Sequence, residues 1–306
     1  VIIDYTIIIL GGIIMYGYDQ KAVRRLLEYA NCALKLEHKI VAMKFLFTEE
    51  EFEAADVPKL SGKMSYCTMV IHAGEGESMK ADIDNFGCFG GARALGIVDD
   101  DRYYLDGRFF EPRGLYQDLA TAREVTSHIH RCSHRVKGVM VRPLEDFTEA
   151  PDVVIIVSYP RNIMRLIQGY TYHFGTAQGI KMVGNQAICA EATAHPYMEN
   201  GMNISCLCNG PRTAGMKEHE MAMGIVFNRF ERLIHGLCMT ITAIEHNPRK
   251  EEIIKAFQEH NITDIPVRMS RNYGHPFFNR DYPHFKEWDE KNPRIDEALF
   301  PDIFAD

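Results

Sequence analysis

A chain of 306 residues, 46% hydrophobic and 25% charged, has an ordinary globular composition and length enough for a substantial core in one domain or two. Its formal charge of −8 excludes a general nucleic-acid binder, which needs a basic face to neutralise phosphates. Eight cysteines are too sparse for a disulfide scaffold, so the thiols are expected to be free, in a reducing cytoplasm.

Residues 1–15 are almost wholly apolar but are broken by Asp4 and by Gly11-Gly12. The run is shorter than the roughly 20 residues of a membrane helix and lacks the basic flank of a signal peptide. It predicts a buried strand or helix, with no membrane association. Residues 19–36 place Val23, Leu26, Leu27, Ala30, Ala33 and Leu34 at helical spacing. Residues 39–46 read as a buried strand and acidic residues 49–56 as a polar helix or loop. Residues 66–71 (YCTMVI) fit a strand or the start of a buried helix, and residues 85–97 a glycine loop opening a short helix.

His128, His130, Cys132 and His134 alternate, so a strand would put all four on one face at about 7 Å spacing. That pattern suits either a two-ligand metal site or a solvated strand. Strands are predicted at 138–142 and at 153–157, the second fully apolar and β-branched as in a central strand. Helices follow at 162–174, at 218–239 and at 249–260. From Ser270 the chain is polar and aromatic without periodicity. It reads as an irregular extension wrapped over the core or over a neighbouring subunit.

One short motif occurs twice. Cys88-Phe-Gly-Gly-Ala-Arg-Ala-Leu-Gly96 and Cys208-Asn-Gly-Pro-Arg-Thr-Ala-Gly215 both read Cys-x-Gly, then Arg, then Gly. Each has a cysteine upstream at similar range: Cys67 lies 21 residues before Cys88, and Cys189 lies 19 before Cys208. Glycine lets the backbone approach a ligand, and a helix opening behind it offers unpaired N–H groups. A thiol there is biased toward thiolate. The doubled unit predicts two related halves whose thiols meet, with Cys67, Cys88, Cys189 and Cys208 as metal ligands. Cys206 is a rival to Cys208, since both would share one face of a strand. Gly90, Gly91, Arg93, Gly210 and Arg212 would cradle the anionic group. Cys32 and Cys238 read as core residues.

These residues resemble the domain-of-unknown-function family numbered 169, the archaeal cysteine-rich proteins. The resemblance rests on Tyr66-Cys67, Cys88-Phe-Gly-Gly, Ala94-Leu-Gly96, Pro151-Asp-Val-Val-Ile155, Arg165-Leu-Ile-Gln-Gly-Tyr-Thr-Tyr172, Cys189, Cys208-Asn-Gly-Pro-Arg212 and residues 220–224, over roughly residues 40–240. It implies a soluble protein of anaerobic archaea and bacteria and names no reaction.

The expectation is therefore an α/β fold of two pseudo-repeated halves, 40–145 and 146–245, packed as one unit. An N-terminal segment (1–39) and a C-terminal extension (246–306) flank it. An iron–sulfur cluster, as 4Fe–4S, or alternatively zinc, would sit between the halves and serve electron transfer or a reductive reaction with a partner protein. Two readings compete. One is a metal-free enzyme with Cys88 or Cys208 as nucleophile and His72 or His195 as base. The other is a small-anion-binding or assembly subunit. A homo-oligomer is expected on general grounds.

Overall fold

The computed structural model describes residues 18–99, 101–208 and 215–269, together with the backbone of residues 7–10 and 13–16. The aromatic extension from Ser270 lies outside the described residues. Near the start, β1 (Ile7–Leu10) and β2 (Ile13–Tyr16) pair with each other in antiparallel register. Helix α1 (Gln20–Leu34) opens at Asp19, whose carboxylate accepts from the amides of Lys21 and Ala22. That satisfies two of the donors a helix start leaves unpaired.

The first half follows. Strand β3 (Val41–Leu46) leads to α2 (Glu49–Ala54), opened by a Thr48–Glu51 capping box. Helix α3 (Tyr66–Gly74) and β4 (Met79–Asp82) come next, then α4 (Phe89–Ala94), α5 (Arg102–Leu105), α6 (Leu119–His128) and β5 (Gly138–Pro143). The second half holds β6 (Val153–Ser158), α7 (Pro160–Phe174), a π-helical stretch (Ala187–Ala194), α8 (His195–Glu199), β7 (Met202–Ser205) and β8 (Met221–Val226). Helices α9 (Phe227–Met239), α10 (Ile241–Ile244) and α11 (Asn247–Glu259) complete the described chain.

Six strands form one sheet in the order β4-β5-β3-β6-β8-β7, and every ladder in it is antiparallel. The order is symmetric about its middle. In each half the first strand is central, the last strand pairs with it, and the middle strand takes the edge. Each upstream cysteine precedes its edge strand, and each motif cysteine follows it. The repeat in the cysteine spacing is thus a repeat in topology.

Strand pleating sends alternate side chains to opposite faces, each covered by helices. Ala42, Val154, Ile156, Met223 and Ile225 pack under α1, α7, α9 and α11. Val41, Met43, Phe45, Val153, Ile155 and Ala222 face the other way, against α3, α4 and the π-helical stretch. Helices α7 and α9 approach closely because a Cβ on Gly236 would stand 2.1 Å from the Gly169 carbonyl oxygen. The cysteine site lies in the second layer.

One open alternative is decided and two local expectations change. Residues 66–71 take the helical alternative, because Ser65 caps the start by accepting from the Thr68 amide at 3.1 Å. The predicted helix at 218–239 divides at Val226, where the buried run of β8 hands over to α9. The alternating histidines are not on a strand: His128 ends α6, which Asp118 caps, and His130, Cys132 and His134 follow in irregular chain.

Candidate functional site

Cys67 is the second residue of α3, in the first turn, and is buried. Cys189 is the third residue of the π-helical stretch and is likewise buried. That stretch starts at Gln186, which holds the left-handed conformation at φ 56°. It rests directly on β8, since a Cβ on Gly224 would stand 1.8 Å from the Ala192 carbonyl oxygen. Glu191 ties it laterally. One carboxylate oxygen accepts from the Val183 amide at 2.6 Å and the other from Ser205 Oγ at 2.5 Å. Asn203 Nδ2 donates to the Glu191 carbonyl at 3.0 Å.

β7 stops at Ser205, and Leu207 takes φ 74°, which turns the chain. The strand that would have put Cys206 and Cys208 on one face is therefore not there. Cys206 is exposed, with its sulfur 3.5 Å from Met182 Sδ. Cys208 turns inward to Cys67.

The result is a meeting of thiols from three separate segments. The thiols of Cys189 and Cys208 both lie within hydrogen-bonding reach of Cys67. The Cys67 thiol is pushed well above its ordinary range, first by Cys189 beside it, against an opposing effect of Cys208 and with burial adding to the rise. Cys88 is the N-cap residue of α4, exposed, and close enough for its charge to act on Cys67 and on Tyr104. The contacts run pairwise through Cys67. Among the described residues no group of three or more His, Cys, Asp or Glu side chains already stands round one point as a metal-bound set would.

The residues expected as a cradle are placed as follows. Arg93 pairs with Asp101, and its guanidinium lies 4.7 Å from the Tyr104 ring centroid, so its charge stands one layer behind the thiols. Gly90 has no room for a side chain of its own: a Cβ there would stand 2.5 Å from Gln186 Nε2 and 3.4 Å from the Tyr104 hydroxyl. A Cβ on Gly91 would meet Tyr66 and Cys189 at ordinary contact distance. Gly210 and Arg212 lie outside the described residues.

Three residues not singled out in the sequence matter here. The Tyr104 hydroxyl and Gln186 Oε1 are buried without hydrogen-bond partners, and burial holds the Tyr104 hydroxyl protonated far above its ordinary range. Glu191 fixes the segment that carries Cys189. The run Gly184-Asn-Gln186 is a turn signal that marks the approach to this site. Of the two histidines expected as bases, His72 pairs with Glu77 at 3.4 Å. His195 donates from Nε2 to the Gly179 carbonyl at 2.9 Å and packs on His130. Among the described residues no helix is long and apolar enough to cross a membrane.

A protein of Methanocaldococcus jannaschii, described as uncharacterised, is 26% identical over 207 residues, covering 67% of this chain and 88% of the relative. No solved structure matches the chain significantly. The family model for domain of unknown function 169, described as an uncharacterised ArCR family, matches residues 31–236, a span that includes all four motif cysteines and the whole six-stranded sheet. On that match the chain belongs to the family of domain-of-unknown-function 169 proteins.

Proposed function

We propose that this chain is a metal protein whose centre is held by Cys67, Cys189 and Cys208, with Cys88 as fourth ligand, and that it serves electron transfer or a reductive step. The observation that carries the reading is the convergence of Cys189 and Cys208 on Cys67 from segments far apart in sequence. A buried apolar core has no use for two further polarisable thiols gathered on that of Cys67, whereas soft thiolates select iron–sulfur groups and zinc. Burial of Cys67 and Cys189 would keep water from the centre, and the π-helical stretch, pinned by Glu191 and Gly224, would hold Cys189 in place. An iron–sulfur cluster supplies one-electron chemistry when bound, and that reading calls for an electron-transfer partner protein.

A second reading is a single zinc ion, which four thiolates hold tetrahedrally at about 2.3 Å.

Iron, sulfide and zinc content of protein purified without oxygen tests both. Iron with sulfide supports the first reading and zinc alone the second. Cys67→Ser, Cys189→Ser and Cys208→Ser should each deplete the metal, while Cys206→Ser should leave it unchanged. Metal-free wild-type protein, or full loading in all three variants, would overturn the proposal.

A further inference from the structure

Tyr104 buries a donor that the fold itself does not use. The side chain is 1% exposed, and among the described residues no hydrogen-bond partner reaches its oxygen. Burying a hydroxyl in that state is costly, so the position calls for an acceptor.

The ring is held too firmly to turn away. Asp101 caps α5: one carboxylate oxygen accepts from the Tyr104 amide at 2.8 Å, and the other pairs with Arg93. Phe109 and Phe110 pack on the ring, each with its centroid 5.3 Å away. The hydroxyl stands beside the glycine pair of α4, where a Cβ on Gly90 would lie 3.4 Å from it. On the next residue, a Cβ on Gly91 would lie 4.0 Å from Cys189 Sγ. The hydroxyl and that sulfur therefore flank the same turn of bare backbone. Cys189 is also the charged group that acts most strongly on the hydroxyl, ahead of Arg131, Arg93 and Cys88.

The surroundings favour an anionic acceptor. The guanidinium carbon of Arg93 lies 4.7 Å from the ring centroid and that of Arg131 lies 5.5 Å from it. Guanidinium groups stay charged in proteins, and positive charge beside a phenol polarises its O–H bond outward. A phenol keeps its proton at neutral pH without help from its surroundings, so the donor is permanent. A thiol sulfur is a weak acceptor, whereas a metal-bound thiolate is charged and accepts strongly.

We propose that Tyr104, backed by Arg93 and Arg131, is the outer hydrogen-bond donor of the thiolate centre, its hydroxyl donating to the Cys189 sulfur when that sulfur holds metal. The role depends on the thiolate centre proposed above. In this structure the bond is not made, and Tyr104 is a positioning residue, not a ligand. Several thiolates round one metal carry excess negative charge, and outer donors offset that charge and fix the orientation of the ligand.

The test uses metal-free full-length protein titrated with Cd²⁺ without oxygen. Sulfur-to-cadmium charge-transfer absorption and competition with a chelator are the readouts. Tyr104→Phe removes the hydroxyl and leaves the ring beside both arginines. It should leave the unfolding midpoint of the metal-free protein unchanged and weaken Cd²⁺ binding by about tenfold or more. The absorption should move to lower energy, because a sulfur without its donor releases electrons more readily. A ring that merely filled space would move neither readout. If Tyr104→Phe does not fold, 3-fluorotyrosine in place of Tyr104 decides. It is a stronger donor of nearly the same shape, so it should tighten binding and move the absorption to higher energy. Wild-type protein without sulfur-to-cadmium absorption would sink the thiolate centre and this role with it. Wild-type binding that Tyr104→Phe matches in both affinity and absorption would overturn the role of Tyr104 alone.

Discussion

Replacing Gly224 by alanine tests how the site is positioned. Gly224 lies inside β8, and an added Cβ would stand 1.8 Å from the Ala192 carbonyl oxygen, 2.5 Å from its carbonyl carbon and 2.8 Å from its Cα. All three are backbone atoms, so no flexible side-chain tip can step aside. Restoring van der Waals separation requires the π-helical stretch to move by roughly 1.5 Å. Overpacking of this kind costs about 1–3 kcal/mol, and backbone on both sides puts Gly224→Ala at the top of that range. About 3 kcal/mol shifts the folded-to-unfolded ratio by roughly a hundredfold. Ala192 lies three residues beyond Cys189 in the same stretch, so the same displacement should separate Cys189 from Cys67 and expose both thiols. Urea unfolding measures the first effect and thiol-labelling rates of Cys67 and Cys189 the second. A loss below about 0.5 kcal/mol with unchanged labelling would refute the claim that Gly224 seats this segment.

Glu245→Ala should cost about 3–5 kcal/mol in denaturant unfolding. It leaves Arg165, 1% exposed and now 2.8 Å from that carboxylate, as a buried unpaired charge. Burial raises the Asp152 carboxyl above its ordinary 3.8, although its oxygen accepts from the Phe45 amide at 2.7 Å. The folded state therefore holds this proton more tightly than the unfolded one, and the group's contribution falls as pH rises through that raised value. Asp152→Asn keeps the acceptor without the charge, so it should gain on the wild type between about pH 4 and pH 7 in paired unfolding curves. Tyr104→Phe removes a buried hydroxyl with no partner and should change stability by less than about 0.5 kcal/mol, or raise it; a clear loss would mean the hydroxyl is bonded after all.

Where a single physical signal dominated, the elements were legible from the residues. The β-branched run at 153–157 became the central β6 (Val153–Ser158), and the helical spacing behind Asp19 became α1. The doubled cysteine motif reported a repeated topology, because matching spacing reflects matching strand order. Ambiguity entered with short apolar runs. YCTMVI suits a strand or a buried helix alike, and only the Ser65 cap decides it. Met221–Val226 was hidden because its apolar pattern merges into that of α9. Which of Cys206 and Cys208 faces Cys67 turned on the positive φ of Leu207, a conformation that leucine does not advertise. The π-helical stretch, carrying Cys189, rests on a distant glycine in β8, a tertiary contact with no local signature.

The junction of the two halves is the shortest ladder in the sheet: β3 and β6 share only the pairs Val41–Ile155, Ala42–Val154 and Met43–Val153. Cys67 belongs to one side of that seam, and Cys189 and Cys208 to the other. The thiol contacts are therefore a stitch across the shortest ladder of the sheet. Tightening the stitch would make the halves behave as one mechanical body, and loosening it would let them part along a line already drawn between β3 and β6. The thiol contacts thus have leverage over the stiffness of the whole sheet, well beyond the atoms that make them.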